Sequence, residues 1–457
     1  MGMLTVAHAS GVNGPWYWTW EWRTLAGGGL YLSMAVAGLP FALAQWLGAR
    51  ARRAQPAGGI AKRVRSMRAA IGLLMLACFG LQLGAIVNQV EPPGLARVTQ
   101  IIEHPIVTSY HFDAARDAAR DAADNGDEGI GIRDFQDRMW GFSLHGRNKP
   151  PGAWLFFSAV QRWFGGAALA GGLLLGLLGC LAIPATALLV TELTGDSDAG
   201  FAGASFLAMT PSLVLFFPAF DQVMPTLSCW LLVAWILALR RGSTPYAIAF
   251  GLALATALFF SFSFLVLGVF LAGYSLLYVS REPSTRIGPA VAKAGVALAV
   301  MLVFYSILYL AAGYDVLATF RTALENQTAL SLKWGRPYPA TILFDLQDFV
   351  LGAGWIGLPL AVFALGRTVR GAAPHLLWVV ILCFAQPIVV AALGLIPTET
   401  ARVWLFLLPL LMVPVGLSLA RWSEAMRAGT YFSLWLILVV TCQHMSFVVL
   451  EGDVLSR

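Results

Sequence analysis

Apolar runs of about twenty residues recur along almost the whole of this chain, and that repeat decides most of what it can fold into. A helix rises about 1.5 Å per residue, so roughly twenty apolar residues cover the about 30 Å of hydrocarbon in a bilayer. Such a helix also satisfies its own backbone hydrogen bonds, which lipid cannot do. Of the 457 residues, 58% are hydrophobic and only 12% charged, with a mean hydropathy of +0.73, far outside the range of soluble globular domains. The expected fold class is an all-α polytopic membrane protein. A transmembrane β-barrel would show alternating segments of about ten residues instead.

Hydropathy places membrane helices near 26–48, 69–90, 167–192, 201–219, 223–240, 245–262, 264–280, 290–311, 351–366, 374–395, 403–420 and 430–450, about twelve crossings. Arg50, Arg52, Arg53, Lys62, Arg63, Arg65 and Arg68 fill one short loop, and Arg240/Arg241, Arg281/Arg286, Arg367/Arg370 and Arg421/Arg427 fill others. If the first of these loops is cytoplasmic, strict alternation puts the rest beside it, as the positive-inside rule requires. The net charge of +6 is thereby absorbed by membrane orientation, and no nucleic-acid partner is expected. The same alternation sends a charged insert at 90–165, a second loop at 312–350 and the turn at 397–402 to the opposite face. The expected organisation is an extra helix with its basic loop (1–68), a membrane core containing the outer insert (69–311), a second outer loop (312–350) and C-terminal membrane helices (351–457). The five cysteines all fall in apolar runs without C-x-x-C spacing and read as small core residues.

The insert is where polar chemistry is concentrated. His111 to Asp121 is Ala-rich and helix-forming, with Asp113, Asp117 and Asp121 four residues apart and Arg116 and Arg120 between them. Carboxylates at that spacing leave room for a divalent cation, Mg²⁺ or Mn²⁺, although surface ion pairs explain the pattern at less cost; no other cofactor is called for. From Ile132 to Phe142 the apolar residues Ile132, Phe135, Met139 and Phe142 share one side, an amphipathic helix suited to the bilayer surface. The insert closes on His145, Arg147 and Lys149 before Pro150-Pro151, a stiff turn that would hold three cations together.

These residues resemble a known group. A large first outer loop, then Lys149-Pro150-Pro151-Gly152-Ala153-Trp154-Leu155, then Phe220-Asp221-Gln222-Val223-Met224-Pro225 opening a span that ends Leu239-Arg240-Arg241-Gly242, is similar to the GT-C superfamily. The closer likeness is to its family 39-like branch, which includes protein O-mannosyltransferases and lipid A aminoarabinose transferases. The likeness covers about residues 69–242, and the helix at 26–48 is an addition to the family pattern.

The resemblance implies a glycosyltransferase that moves a sugar from a polyprenyl-phosphate donor to a lipid, glycan or protein acceptor. It would work on the periplasmic or extracellular side of a bacterial inner (plasma) membrane. An acceptor hydroxyl must lose a proton as it attacks the anomeric carbon, which asks for a carboxylate base. Asp113 is the first candidate for the base and Glu103 the second, while Asp221, an ionisable group at bilayer depth, is the third catalytic candidate, as an acceptor or metal contact. The leaving phosphate needs cations, and His145, Arg147, Lys149 and Arg402 are the candidates. Tyr110, Trp154, Glu399 and Trp404 are expected to line the substrate cavity. The rival readings are a transporter or lipid flippase and a non-catalytic subunit of an envelope-glycan assembly complex.

Overall fold

In the computed structural model the described residues are 27–53, 60–88, 92–103, 112, 115–117, 120, 132, 135, 139, 146–333, 338, 339, 341–371, 374–394, 396 and 400–444. Their regular structure is helical throughout. In chain order the α-helices are α1 (Gly29–Arg53), α2 (Ile60–Val87), α3 (Ala96–Glu103), α4 (Gly152–Phe164), α5 (Ala168–Cys180), α6 (Ala182–Thr194), α7 (Ser197–Leu207), α8 (Pro211–Leu215), α9 (Met224–Arg240) and α10 (Thr244–Phe260). They continue with α11 (Gly268–Val279), α12 (Pro283–Ala312), α13 (Val316–Lys333), α14 (Thr341–Gly352), α15 (Gly357–Gly371), α16 (Pro374–Ala392), α17 (Thr400–Val403), α18 (Leu408–Ala420) and α19 (Glu424–His444).

Among the described residues, eight helices are long and apolar enough to cross a membrane, or nine if the bent pair α14–α15, which turns through 100°, is one span. The chain is an integral, polytopic membrane protein. Eight or nine is fewer than the twelve crossings expected, for a local reason. The run at 201–219 is cut in two because Thr210 precedes Pro211 and takes an extended conformation (ψ 127°), as a residue before proline must. α10 and the stretch Leu405–Ala420 are apolar but shorter than a full span. The separation of 245–262 from 264–280 does hold: Ser261 is extended, ending α10, and its hydroxyl accepts from the Ser263 amide to start the next turn.

Within 312–350 the described residues form α13 and most of α14: Asp315 starts α13 by accepting from the Leu317 and Ala318 amides at 2.9 and 3.0 Å. The following span begins at Gly357 because Gly354 (φ 87°) and Trp355 (φ 57°) turn the chain sharply. Of the apolar side expected for 132–142, two described residues pack into the protein. Phe135 and Met139 are buried, Phe135 against Trp154 at 5.9 Å between ring centroids. All five cysteines are buried and free.

The span Phe220–Arg240 is the axis of the bundle, with 89% of its most apolar stretch buried, against 11% for Pro283–Ala312 at the periphery. The segment leading into that axis lies almost backbone to backbone on α5. Gly172, Gly176 and Gly179 share one face of α5. A Cβ on Gly172 would stand 3.3 Å from Pro218, on Gly176 2.5 Å from the Phe217 ring, and on Gly179 2.9 Å from the Gln222 carbonyl oxygen. Small residues at such spacing are how membrane helices approach closely. Gly179→Ala is therefore expected to lower stability by about 1–3 kcal/mol, although alanine is the better helix former. Gly429→Ala, where nothing lies within 4 Å, is expected to be neutral or stabilising; thermal unfolding of the purified protein in detergent checks both.

Candidate functional site

Asp221 sits in the 3-10 turn Phe220–Val223 that opens the central span. Ala219 enters this turn extended, and Pro225 lies in the first turn of α9, where the absence of an amide hydrogen costs nothing. The carboxylate is only 6% exposed, and a buried charge persists only if it is paired. Arg402 Nη1 lies 2.7 Å from Asp221 Oδ2, and Lys149 Nζ lies 3.6 Å from Oδ1. Three residues from distant stretches of the chain thus meet at one carboxylate.

Each partner is positioned by its own local device. Lys149 follows the short 3-10 turn Gly146–Asn148, and Pro150-Pro151 lead directly into α4. Gly152 lets that start press onto the end of α10, since a Cβ there would stand 2.6 Å from the Phe259 carbonyl oxygen. On the other side, α13 holds the turn: Asn326 donates to the Arg147 carbonyl at 3.2 Å and the Asn148 amide donates to Gln327 Oε1 at 3.1 Å. Phe220 stacks on Phe260 (5.4 Å) and meets Phe156 edge-on (5.7 Å). The Pro-Pro turn and the Asp221 turn are thereby locked to the same aromatic cluster.

Arg402 is carried by α17, a single turn of helix that needs external support. Asp348 of α14 supplies it: its Oδ2 accepts from the Ala401 amide at 2.8 Å and from the Thr400 hydroxyl at 3.3 Å. The Thr400 hydroxyl also reaches the Asp345 carbonyl, and Trp404 donates to the Ile396 carbonyl at 3.0 Å. Val98 and Ile101 of α3 join Phe216, Phe217, Ala219 and Ala401 in one buried cluster beside the site. Arg97, one turn before Ile101, is itself buried, donates to Gln100 at 2.6 Å, and has its pKa lowered by that burial.

Of the other candidates, Arg147 is half-buried in the same turn as Lys149, while Glu103 ends α3 on an exposed surface. Tyr110, Asp113, His145 and Glu399 lie outside the described residues. Phe112 and Ala115, on either side of Asp113, are buried, Phe112 edge-on to Phe157 at 5.6 Å. Trp154 and Trp404 are fully buried in the core. Asp117 is exposed and 3.9 Å from Arg116, and no three His, Cys, Asp or Glu side chains come together among the described residues. Asp348 and Arg97 were not anticipated. Asp345 and Asp348, three apart in an otherwise apolar run, were the available signal for the first, since carboxylates on one helical face between apolar residues need a buried partner.

Lys149, Asp221 and Arg402 together carry one net positive charge. Arg402 and Asp221 are enclosed, whereas the Lys149 side chain is 26% exposed, so this is a preorganised cationic site with one open edge. No family model and no curated protein matches the sequence. Among solved structures, ArnT from Cupriavidus metallidurans bound to undecaprenyl phosphate superposes with a TM-score of 0.50 at 14% identity, over 79% of this chain and 62% of that one. The two share a fold. This chain spans less than two thirds of that ArnT chain. ArnT in the apo state gives a TM-score of 0.46 at 15% identity, over 74% and 60% of the two chains.

Removing one partner of a buried ion pair costs about 3–5 kcal/mol where the other charge is left uncompensated. Asp221 keeps Lys149 at 3.6 Å when Arg402 is removed, so Arg402→Gln is expected to destabilise the protein by about 3 kcal/mol or less, and adding Asp221→Asn to restore part of the loss. Additive losses in thermal unfolding would mean that the two side chains are not coupled.

Proposed function

We propose that this protein is a GT-C-type membrane glycosyltransferase of the family 39-like kind. It would transfer a sugar from a polyprenyl-phosphate carrier to a glycan, lipid or protein acceptor. The observation that carries this reading is the Lys149–Asp221–Arg402 cluster at the head of the central span, in a fold shared with an ArnT whose structure holds undecaprenyl phosphate. The proposed topology has twelve crossings, the short helices completing those that are long enough alone. It places the cluster on the periplasmic face of a bacterial inner membrane.

In the proposed reaction an acceptor hydroxyl forms a new bond to the anomeric carbon as the bond from that carbon to the phosphate oxygen breaks. The phosphate leaves with the electron pair on its lipid. Lys149 and Arg402 offset the charge that develops on the leaving oxygen without reorganising, because they are already in place, and Arg147 and His145 are the further cations proposed to assist. Asp113, or Glu103, takes the hydroxyl proton. Asp221 serves best as the counter-ion that keeps two cations together before the phosphate arrives, because both its oxygens already face cations. A carrier mechanism would ask for ionisable groups near the middle of its spans. The central helix has no Asp, Glu, His, Lys or Arg between Gln222 and Leu239.

Incubating the purified protein with labelled polyprenyl-phosphate sugars tests this. Transfer is expected with at least one donor, reduced about 10²–10³-fold by Lys149→Ala or Arg402→Ala and about 10²–10⁴-fold by Asp113→Asn if that residue is the base. No transfer from any such donor, or full rates in both cation variants, would refute the proposal.

A further inference from the structure

A second cationic site lies at the other end of the bundle. The central span runs from Asp221 down to Arg240, which pairs with Glu192 at 3.1 Å, and Asp198, six residues further along, lies within electrostatic reach of Arg52. There the end of α1 and the start of α19 enclose a cavity of about 390 Å³ lined by Trp46, Arg50, Arg52, Arg53, Glu424 and Arg427, among others. Arg53 pairs with Glu424, Arg52 stays 4.0 Å from the same carboxylate, and Arg50 lies 5.5 Å over the Trp46 ring. Four guanidiniums thus face two carboxylates, counting Asp198. Arg52 Nη1 and Arg427 Nε are buried and, among the described residues, have no hydrogen-bond partner. Buried donors of this kind are costly unless an acceptor arrives.

The surface leading into the cavity identifies the acceptor. Leu32, Val36, Leu39, Leu43 and Trp46 are all exposed and recur every three or four residues, forming one stripe on α1 that runs directly to Arg50 and Arg53. On α19, Phe432 and Leu436 are exposed, above Ala428 in the cavity wall. Two lipid-facing stripes therefore converge on an arginine-lined cavity with surplus positive charge. We propose that this cavity binds the phosphate of an anionic phospholipid, whose acyl chains lie along the two stripes. Because α1 and α19 come from opposite ends of the described chain, the bound headgroup clasps them together.

The test is thermal unfolding of the full chain in detergent, titrated with phosphatidylglycerol, with phosphatidylcholine of the same acyl chains, and with glycerol 3-phosphate as the soluble source of the same chemistry. Phosphatidylglycerol is expected to raise the midpoint saturably, while the other two do not. Each arginine near an anionic lipid contributes about 1 kcal/mol, roughly a fivefold change in affinity. Arg50→Gln with Arg427→Gln should therefore require roughly 25-fold more phosphatidylglycerol for the half-maximal shift. Glu424→Gln should require less, because it removes a competing carboxylate, and Arg321→Gln, an exposed residue of α13 away from the cavity, should leave the response unchanged. An equal shift from phosphatidylcholine, an unchanged response in the double arginine variant, or loss of the response in Arg321→Gln would overturn the proposal. A full shift with glycerol 3-phosphate would overturn the assignment to a lipid.

Discussion

A carboxylate held at the membrane end of a buried helix must have cations beside it, and the candidate site is organised around meeting that demand at Asp221. Its charge lies at the head of the most enclosed span, where water screens little and an unpaired ion would be severely penalised. Arg402 and Lys149 satisfy it from two different directions. The result joins the outer insert, the central helix and the C-terminal helices in one place. The same arrangement leaves a surplus positive charge at a partly open edge, which suits an anion at the lipid boundary.

The surrounding fold is read best as the support this pairing needs. The glycine face of α5 brings the Asp221 turn into position, and the Phe220–Phe260 stack fixes its direction. Asp348 caps the one-turn helix that presents Arg402, and α13 secures the turn before Lys149 through Asn326 and Gln327. Each of these supporting side chains restricts where one of the three charged groups can go. Such preorganisation is what separates a binding site from a chance cluster of charges.

Much of this was legible in the sequence, because the signals were local. Hydropathy marked the class of fold and most of the spans, the Pro150-Pro151 turn marked Lys149, and the position of Asp221 at the start of a span singled it out. Pairings between residues such as Asp221 and Arg402, 181 positions apart, are set by tertiary packing and have no local signature. For the same reason nothing local in 312–350 marks Asn326 of α13 and Asp348 of α14 as supports of the site. The helices long enough to cross alone are fewer than the twelve apolar runs because average hydropathy does not register the break that Pro211 imposes, nor the shortness of α10.

The most direct measurement is an experimental structure of the full chain in a lipid nanodisc with undecaprenyl phosphate added. The phosphate is expected within hydrogen-bonding reach of both Lys149 and Arg402, with Asp221 still bridging or just released from Lys149. A phosphate bound elsewhere on the outer surface, with the Lys149–Asp221–Arg402 contacts intact and closed to it, would contradict the account.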